Sequence, residues 1–441
     1  MASSSRRESS TLLVLGLARS GVAAVRLAVR EGWRVLVCDD NPALSEGLPD
    51  SVERLDRAAA VERVLSVDLL IPSPGIAATH PVIAAALAAG VRVAPEIEFA
   101  AERLGATLLA VTGTNGKSTT VSLLGAILEA AGRRVFTGGN LGDPLCNAVG
   151  RGDEFVVAEV SSFQLEHATT FHPHIASILN LSADHLDRHG DMEGYLAAKL
   201  RLLQGMTAAD YVVLPTQAPW RSRAEAASPA VVSNFCAADA AAKREVGSGD
   251  YRVALPKQGW PELPHDLENA AAAVEMARLA GVDAASAERA IAEFRPLRHR
   301  LAKVADVGGV AYWNDSKATN VGAAVSTLRA FDGRVLLLVG GISKGCDFRA
   351  LASEADRITL VVAYGQAALD VETALAPSLR VVREPGLLAA LRRAAAEARA
   401  GDSVLLAPAC SSFDEFRDYA DRGASFERWV RQMAAGQEAG G

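Results

Sequence analysis

The sequence predicts an α/β protein of three consecutive domains, and three observations carry that expectation. Short apolar runs alternate with alanine-rich helical stretches almost from end to end, the pattern of parallel sheets covered by helices. The pattern restarts twice, near Ala94-Pro95 and again around the segment RPLRHR, 295–300. A chain of 441 residues that is 50% hydrophobic and 22% charged has apolar material for roughly three cores.

In residues 1–94, TLLVLGL (11–17), RVLVC (34–38) and VDLLIPS (67–73) read as strands, with a helix over 22–30 after the first. The start could pass for a secretory signal, with Arg6 and Arg7 ahead of an apolar run, but Arg19 breaks that run and 16–21 has the form of a strand-to-helix turn. Residues 95–299 begin afresh with the strand TLLAVTG (107–113) and a helix over 117–131. They continue through EFVVAEV (154–160) and IASILNL (175–181) to the helix LENAAAAVEMARLAG (267–281). The stretch 218–250 is rich in small residues and weakly periodic, and no function attaches to it. Residues 300–441 carry the strands GGVAYWN (308–314), RVLLLVGG (334–341), ITLVVAYG (358–365) and SVLLAPA (403–409), and end in AAGQEAGG (434–441), which reads as a frayed tail.

Net charge of -7 leaves no overall positive field to hold a polyanion, so nucleic acid is not an expected partner. Five cysteines, Cys38, Cys146, Cys236, Cys346 and Cys410, are odd in number and lack CxxC or Cys/His spacing. That argues against a disulfide framework or a zinc site and fits a reducing cytoplasm. No apolar segment approaches the length that spans a bilayer, so a membrane-embedded protein is not expected. A monomer is expected.

VTGTNGKSTT (111–120) is the most specific motif. A standard phosphate loop places its first glycine five positions before the Gly-Lys pair, where this chain has Val111, and Gly113 stands only three before Gly116. Glycines still let backbone amides face phosphate oxygens, Lys117 supplies a point charge, and the Ser118 hydroxyl can ligate magnesium. ATP is the expected nucleotide, bound by Gly113, Thr114, Asn115, Gly116, Lys117, Ser118 and Thr119. Glu159 ends a buried-looking strand where a metal-binding acid stands after such a loop, or it is an ordinary strand-end carboxylate. NLSADHLDRHG (180–190) packs Asp184, His185, Asp187 and His189 together; His185 reads either as a metal or substrate ligand or as a solvated loop histidine. Lys199, in GYLAAKLRLL, reads by residue chemistry alone as a solvent lysine.

Gly16-x-Ala18-x-x-Gly21 after a strand, with Asp39 and Asp40 about twenty residues on, is close to the dinucleotide fingerprint. Ala18 stands in place of the glycine that lets a pyrophosphate approach. A nucleotide sugar could sit there, and a tight turn without ligand is the alternative. SPG (73–75) is either a second ligand loop or a plain turn. WNDSKATN (313–320), LVGGISKGCDF (338–348) and LAPACSSFDEF (406–416) place polar loops at three strand ends, which together favour a crevice for a small anionic ligand over three separate helix caps.

TGTNGKST, EVSSFQLE, N-x-x-x-DHLDRH, HDLEN, RHR and WNDSKATN, in this order, resemble the Mur ligases of bacterial cell-wall synthesis over nearly the whole chain. NDSKATN and PACSSFDEF resemble the glutamate-adding member of the family. The resemblance implies a UDP-sugar-binding Rossmann-like domain, a central P-loop-type ATPase domain and a C-terminal Rossmann-like domain that brings the amino acid. It implies ATP, UDP-N-acetylmuramoyl-L-alanine and D-glutamate as substrates, two magnesium ions, and an acyl phosphate made at the expense of ATP. By position it implies Lys117, His185 and Lys199 as catalytic groups, with Ser118, Glu159, His185 and Lys199 as metal ligands, the lysine as a carbamate. Asn269, Arg300 and Asp315 match nucleotide or phosphate contacts. Leu17, Ala18, Asp39, Asp40, Ser73, Gly75, Asn140 and His185 match contacts of the UDP-substrate, and Thr319, Lys344, Ser412 and Phe413 match the glutamate site. The chain departs from the family at Ala18, often glycine, and at Tyr419, where phenylalanine is expected. Competing readings are a folylpolyglutamate or diaminopimelate adder, a nicotinamide dehydrogenase, and a nucleotide switch without catalysis.

Overall fold

A computed structural model of the chain describes residues 10–257, 260, 261, 263–295 and 297–438. These fall into two compact units, one running to Asn180 with Leu196–Phe294, the other formed by Leu181–Tyr195 with the residues from Arg295 on.

The first unit holds two sheets and a hairpin. Strands β1 (Thr11–Leu15), β2 (Arg34–Cys38), β3 (Glu53–Leu55), β4 (Leu69–Pro72) and β5 (Arg92–Val93) form a parallel sheet in the order β3-β2-β1-β4-β5. Leu12, Leu13 and Val14 are wholly buried, so the central strand is apolar on both faces and shows no alternation. The helix expected from residue 22 starts at Arg19, because extended Ala18 caps it and its carbonyl accepts from Val22 N at 3.0 Å. Strands β3 and β5 were not expected from the sequence; at three and two residues, with Glu53, Arg54 and Arg92 among them, they carry too little apolar signal.

Strands β6 (Thr107–Thr112), β7 (Val135–Gly139), β8 (Phe155–Glu159), β9 (Ile175–Ile178), β10 (Tyr211–Pro215) and β11 (Val231–Phe235) form a second parallel sheet, ordered β11-β10-β9-β6-β8-β7. The helices Lys117–Ala130, Pro264–Leu279 and Ala284–Glu293 bury their small apolar residues against it in one core. The unassigned stretch 218–250 supplies edge strand β11 and β12 (Glu245–Ser248), which pairs antiparallel with β13 (Tyr251–Ala254). Its polarity has a partner: Glu275 accepts hydrogen bonds from Ser233 and, at 3.0 Å, from Ser248.

In the second unit β14 (Ala302–Val307), β15 (Val310–Asn314), β16 (Val335–Gly340), β17 (Ile358–Tyr364), β18 (Val381–Glu384) and β19 (Ser403–Leu406) are ordered β14-β15-β19-β16-β17-β18. All pair in parallel, as the apolar runs predict, except β14, which runs antiparallel to β15 through the Gly308-Gly309 turn. The final helix, Tyr419–Glu438, runs through 434–438, where a frayed tail was expected; 439–441 lie outside the described residues. No helix among the described residues is long and apolar enough to cross a membrane.

The short helix Glu96–Ala101 fastens the two sheets of the first unit through two buried carboxylates. Glu98 accepts from the N–H groups of Thr169, Thr170 and Phe171 at 2.6, 2.8 and 3.1 Å; burial opposes its charge, but these bonds and Arg92 hold its carboxyl below the ordinary value. Glu96 accepts from Cys146 N at 2.6 Å, while its other oxygen is buried without a partner, and burial pushes its carboxyl up to about 7. The folded state therefore holds a proton that the unfolded chain releases in the ordinary carboxylate range, and stability falls as pH rises through that window. Glu96→Gln is expected to match the parent near pH 5 and exceed it by a few kcal/mol near pH 8. Thermal midpoints that differ equally at both pH values would contradict this.

Candidate active-site loops

The phosphate loop turns at two left-handed glycines, Gly113 at φ 151° and Gly116 at φ 84°. A side chain at Gly116 would place its Cβ 2.1 Å from Asn269 Oδ1, so only glycine fits. Asn180, just past β9, pins the loop: its carbonyl accepts from Thr114 N at 3.0 Å, its Oδ1 from Asn115 N at 2.8 Å, and its Nδ2 donates to Asn115 O at 3.0 Å. The role of Asn180 was missed in the sequence although it heads the DHLDRH motif; a polar residue straight after a buried strand is its signal. Lys117 folds back, donating from Nζ to Gly113 O at 2.7 Å and Thr114 O at 2.8 Å. Ser118 and Thr119 are buried at the start of the helix, and buried Asn269 lies against Gly116 and Thr120.

Lys199 is 1% exposed and donates from Nζ to Gly113 O at 2.9 Å, which overturns its reading as a solvent lysine. Two lysines thus converge on one carbonyl. Strand β8 lies beside β6 with Glu159 opposite Val111, so Glu159 stands next to the loop. Its Oε1 accepts from Asn140 Nδ2 at 2.6 Å; its Oε2 is buried with no protein partner. A buried carboxylate oxygen left open beside a phosphate loop and a serine hydroxyl suits a hard cation with oxygen ligands. Among the described residues no group of three or more His, Cys, Asp or Glu could hold a metal, so such a cation would depend on phosphate, water or a modified lysine for further ligands.

At the carboxyl end of the first sheet, Leu17 is buried and its N–H donates to Asp39 Oδ2 at 2.6 Å, while Asn41 N donates to Asp39 Oδ1 at 2.8 Å. Ser73 Oγ donates to Gly16 O at 2.8 Å, Ala18 caps the helix, and Gly75 is exposed. Asp40 is paired with Arg57 at 2.6 Å.

In the second unit Asp184 is 5% exposed and accepts from Lys344 Nζ and Asn320 Nδ2, each at 3.1 Å. His185, left-handed at φ 56°, has Nε2 3.7 Å from Asp184 Oδ1. Asp315 accepts from Leu301 N at 3.3 Å and from the Thr327 hydroxyl. Arg300 has a buried Nε without a hydrogen-bond partner. Thr319 is half-buried, Ser412 buried, and Phe413 69% exposed. Tyr419, a departure from the family, presents its ring to Lys317 Nζ at 3.8 Å from the centroid. Burial pushes the Cys410 thiol up to about 12 and raises Cys346 as well, so neither is a nucleophile at neutral pH.

Arg422 ties these loops together and was missed in the sequence. It is fully buried and donates to Ser316 Oγ and Ser316 O at 2.9 Å, to Cys410 O at 3.1 Å and to Gly340 O at 3.4 Å, thus bracing the ends of β15, β16 and β19. Arg422→Met is expected to destabilise the chain by about 1–3 kcal/mol for each carbonyl left without a donor. Denaturant melts are the check, and an unchanged midpoint would count against the brace.

Family models match the chain in sequence order. Residues 10–95 match the Mur ligase MurD-like N-terminal domain, 111–256 the Mur ligase middle domain and 299–410 the Mur ligase glutamate ligase domain. The chain is 40% identical to the UDP-N-acetylmuramoylalanine--D-glutamate ligase of Acidobacterium capsulatum, over 97% of this chain and 98% of the relative. It is also 40% identical to the enzyme of the same name from Desulfotalea psychrophila, over 96% of both. Among solved structures, the MurF ligase of Thermotoga maritima in complex with ADP superposes with a TM-score of 0.60 over 97% of this chain and 96% of that one, at 16% identity, a likeness of fold.

Proposed function

The chain belongs to the Mur ligase family, and from that premise we propose that it joins D-glutamate to UDP-N-acetylmuramoyl-L-alanine with cleavage of ATP to ADP and phosphate, in peptidoglycan precursor synthesis. The observation that carries this reading is the compact loop between Asn180 and Asn269, with two lysines on Gly113 O and the open Glu159 oxygen beside it, in a chain that matches D-glutamate ligases along its length. Residues 1–94 would bind the UDP-sugar, 95–299 ATP, and 300–441 the amino acid. Five free thiols fit a reducing cytoplasm as its place of action.

The substrate carboxylate attacks the γ-phosphorus of ATP, ADP leaves, and an acyl phosphate results. The amine of D-glutamate then adds to the acyl carbon, loses its proton, and expels phosphate as the amide forms. Free carboxylate is a poor substrate for an amine, and this exchange of leaving group is what ATP supplies. Catalysis is then largely positioning and charge neutralisation. Backbone amides of 113–119 would cradle the phosphates, and Lys117 would swing from its loop carbonyls to the transferred phosphoryl group. Magnesium, when bound, neutralises phosphate charge; Ser118 and Glu159 would hold one ion, and His185 is assigned to a second. Lys199, buried beside Lys117 on the same carbonyl, is assigned to the carbamate that a lysine amine forms with CO2. Asn269, Asp315 and Arg300 are assigned to the nucleotide and its phosphates, and Lys344, Thr319, Ser412 and Phe413 to glutamate.

Oxygen-18 in the substrate carboxylate tests the chemistry. One labelled oxygen is expected in the released phosphate; unlabelled phosphate would exclude the acyl phosphate.

A further inference from the structure

We propose that Arg57, carried by Asp40, is the side chain that reads the nucleotide at the first sheet, donating to oxygen acceptors of the uridine diphosphate. The inference rests on the function proposed above. Position by position, Asp40 itself was the expected contact. Both of its oxygens, however, are taken by one guanidinium: Arg57 Nε reaches Oδ1 at 3.3 Å and Nη2 reaches Oδ2 at 2.6 Å.

A uridine diphosphate is rich in acceptors and negatively charged, so its site needs donors. The other expected side chains at this edge are poor ones. Asp39 is a carboxylate engaged with Leu17 N and Asn41 N, and Ser73 has given its hydroxyl proton to Gly16 O. Arg57 is different, because a forked pair with one carboxylate engages only Nε and Nη2. Among the described residues no acceptor other than Asp40 takes a hydrogen bond from it, and its side chain is 55% exposed, so Nη1 makes no hydrogen bond to the protein and is open to a ligand acceptor.

Position separates this pair from an ordinary surface ion pair. Asp40 follows β2 and Arg57 follows β3, so the fork spans two neighbouring strand ends on the carboxyl edge of a parallel sheet, the edge on which ligands of such sheets bind. His80, which follows β4, shares the rim. Its Nδ1 accepts from Val82 N at 3.3 Å, which leaves the ring proton on Nε2, a second donor. Burial and then the charge of Arg57 hold the His80 ring below its ordinary value, consistent with both side chains serving one mouth. A bare carboxylate at Asp40 would repel a diphosphate; the forked pair turns that position from repulsive to donating.

Arg57 is exposed, so Arg57→Ala folds normally and kinetics can be read directly. The Michaelis constant for UDP-N-acetylmuramoyl-L-alanine is expected to rise about tenfold or more, with kcat and the constants for ATP and D-glutamate within about twofold of the parent, the signature of lost uniform binding. Asp40→Asn is expected to give a smaller rise, and to add nothing on top of Arg57→Ala. A parent-like constant for Arg57→Ala, or additive effects in the double variant, would overturn the inference. Calorimetry with UDP and with uridine locates the acceptors: weakened binding of both assigns Arg57 to the nucleoside oxygens, and weakened binding of UDP alone assigns it to the phosphates. UDP binding equal in parent and variant refutes the role of Arg57 while leaving the proposed function intact. A parent chain that does not bind UDP refutes both.

Discussion

Lys117→Ala is expected to abolish ATP-dependent phosphate release, by about a thousandfold or more, with an unchanged circular dichroism spectrum. In the free protein the ammonium folds back onto Gly113 O and Thr114 O, contacts within its own loop, and the glycine geometry and the Asn180 bonds that shape the loop do not involve it. Removing it takes a positive charge from the transferred phosphoryl group and leaves the cradle standing. Turnover within about tenfold of the parent would assign neutralisation of the phosphates to another group.

Lys199→Ala is expected to lose activity to a comparable degree and to regain part of it in millimolar formate or acetate. The side chain is 1% exposed, so its removal leaves a buried space next to Gly113 O large enough for a short carboxylate to stand where the carbamate would be. Rescue by a carboxylate separates the two readings of this residue. A lysine that acted only as a buried cation would be rescued by amines and not by acids. Activity restored by methylamine and not by formate would therefore refute the carbamate, and a fully active variant would remove Lys199 from the mechanism.

Most strands were legible because a parallel sheet with both faces covered needs unbroken apolar runs, and TLLVL, TLLAVT and VLLLVG supply them. Of the strands that escaped, ERL, VVSNF, AKVADV and VVRE lie at sheet edges and need only one apolar face, whereas YVVLP of β10 lies inside its sheet and escaped although its run is apolar. The phosphate loop was legible in its glycines, since their left-handed backbone is a local demand written in the local sequence. Lys199 was not legible from residue chemistry, because the carbonyl it meets, Gly113 O, stands 86 residues earlier in the chain. Arg422 was hidden for the same reason. A charged residue near the start of a polar helix reads as surface, and only the meeting of three strand ends around it shows that it is interior. Asp40 was legible as a residue of the first-sheet mouth but not as the carrier of an arginine seventeen positions on.

The central claim, that the chain couples ATP to the addition of D-glutamate to a UDP-linked muramoyl alanine, is tested most directly by phosphate release from magnesium-ATP with UDP-N-acetylmuramoyl-L-alanine present. D-glutamate, L-glutamate, lysine and diaminopimelate would be supplied in separate reactions. Release with D-glutamate alone is the expected result. Release that favours any of the other three, or none with all four, would contradict the claim.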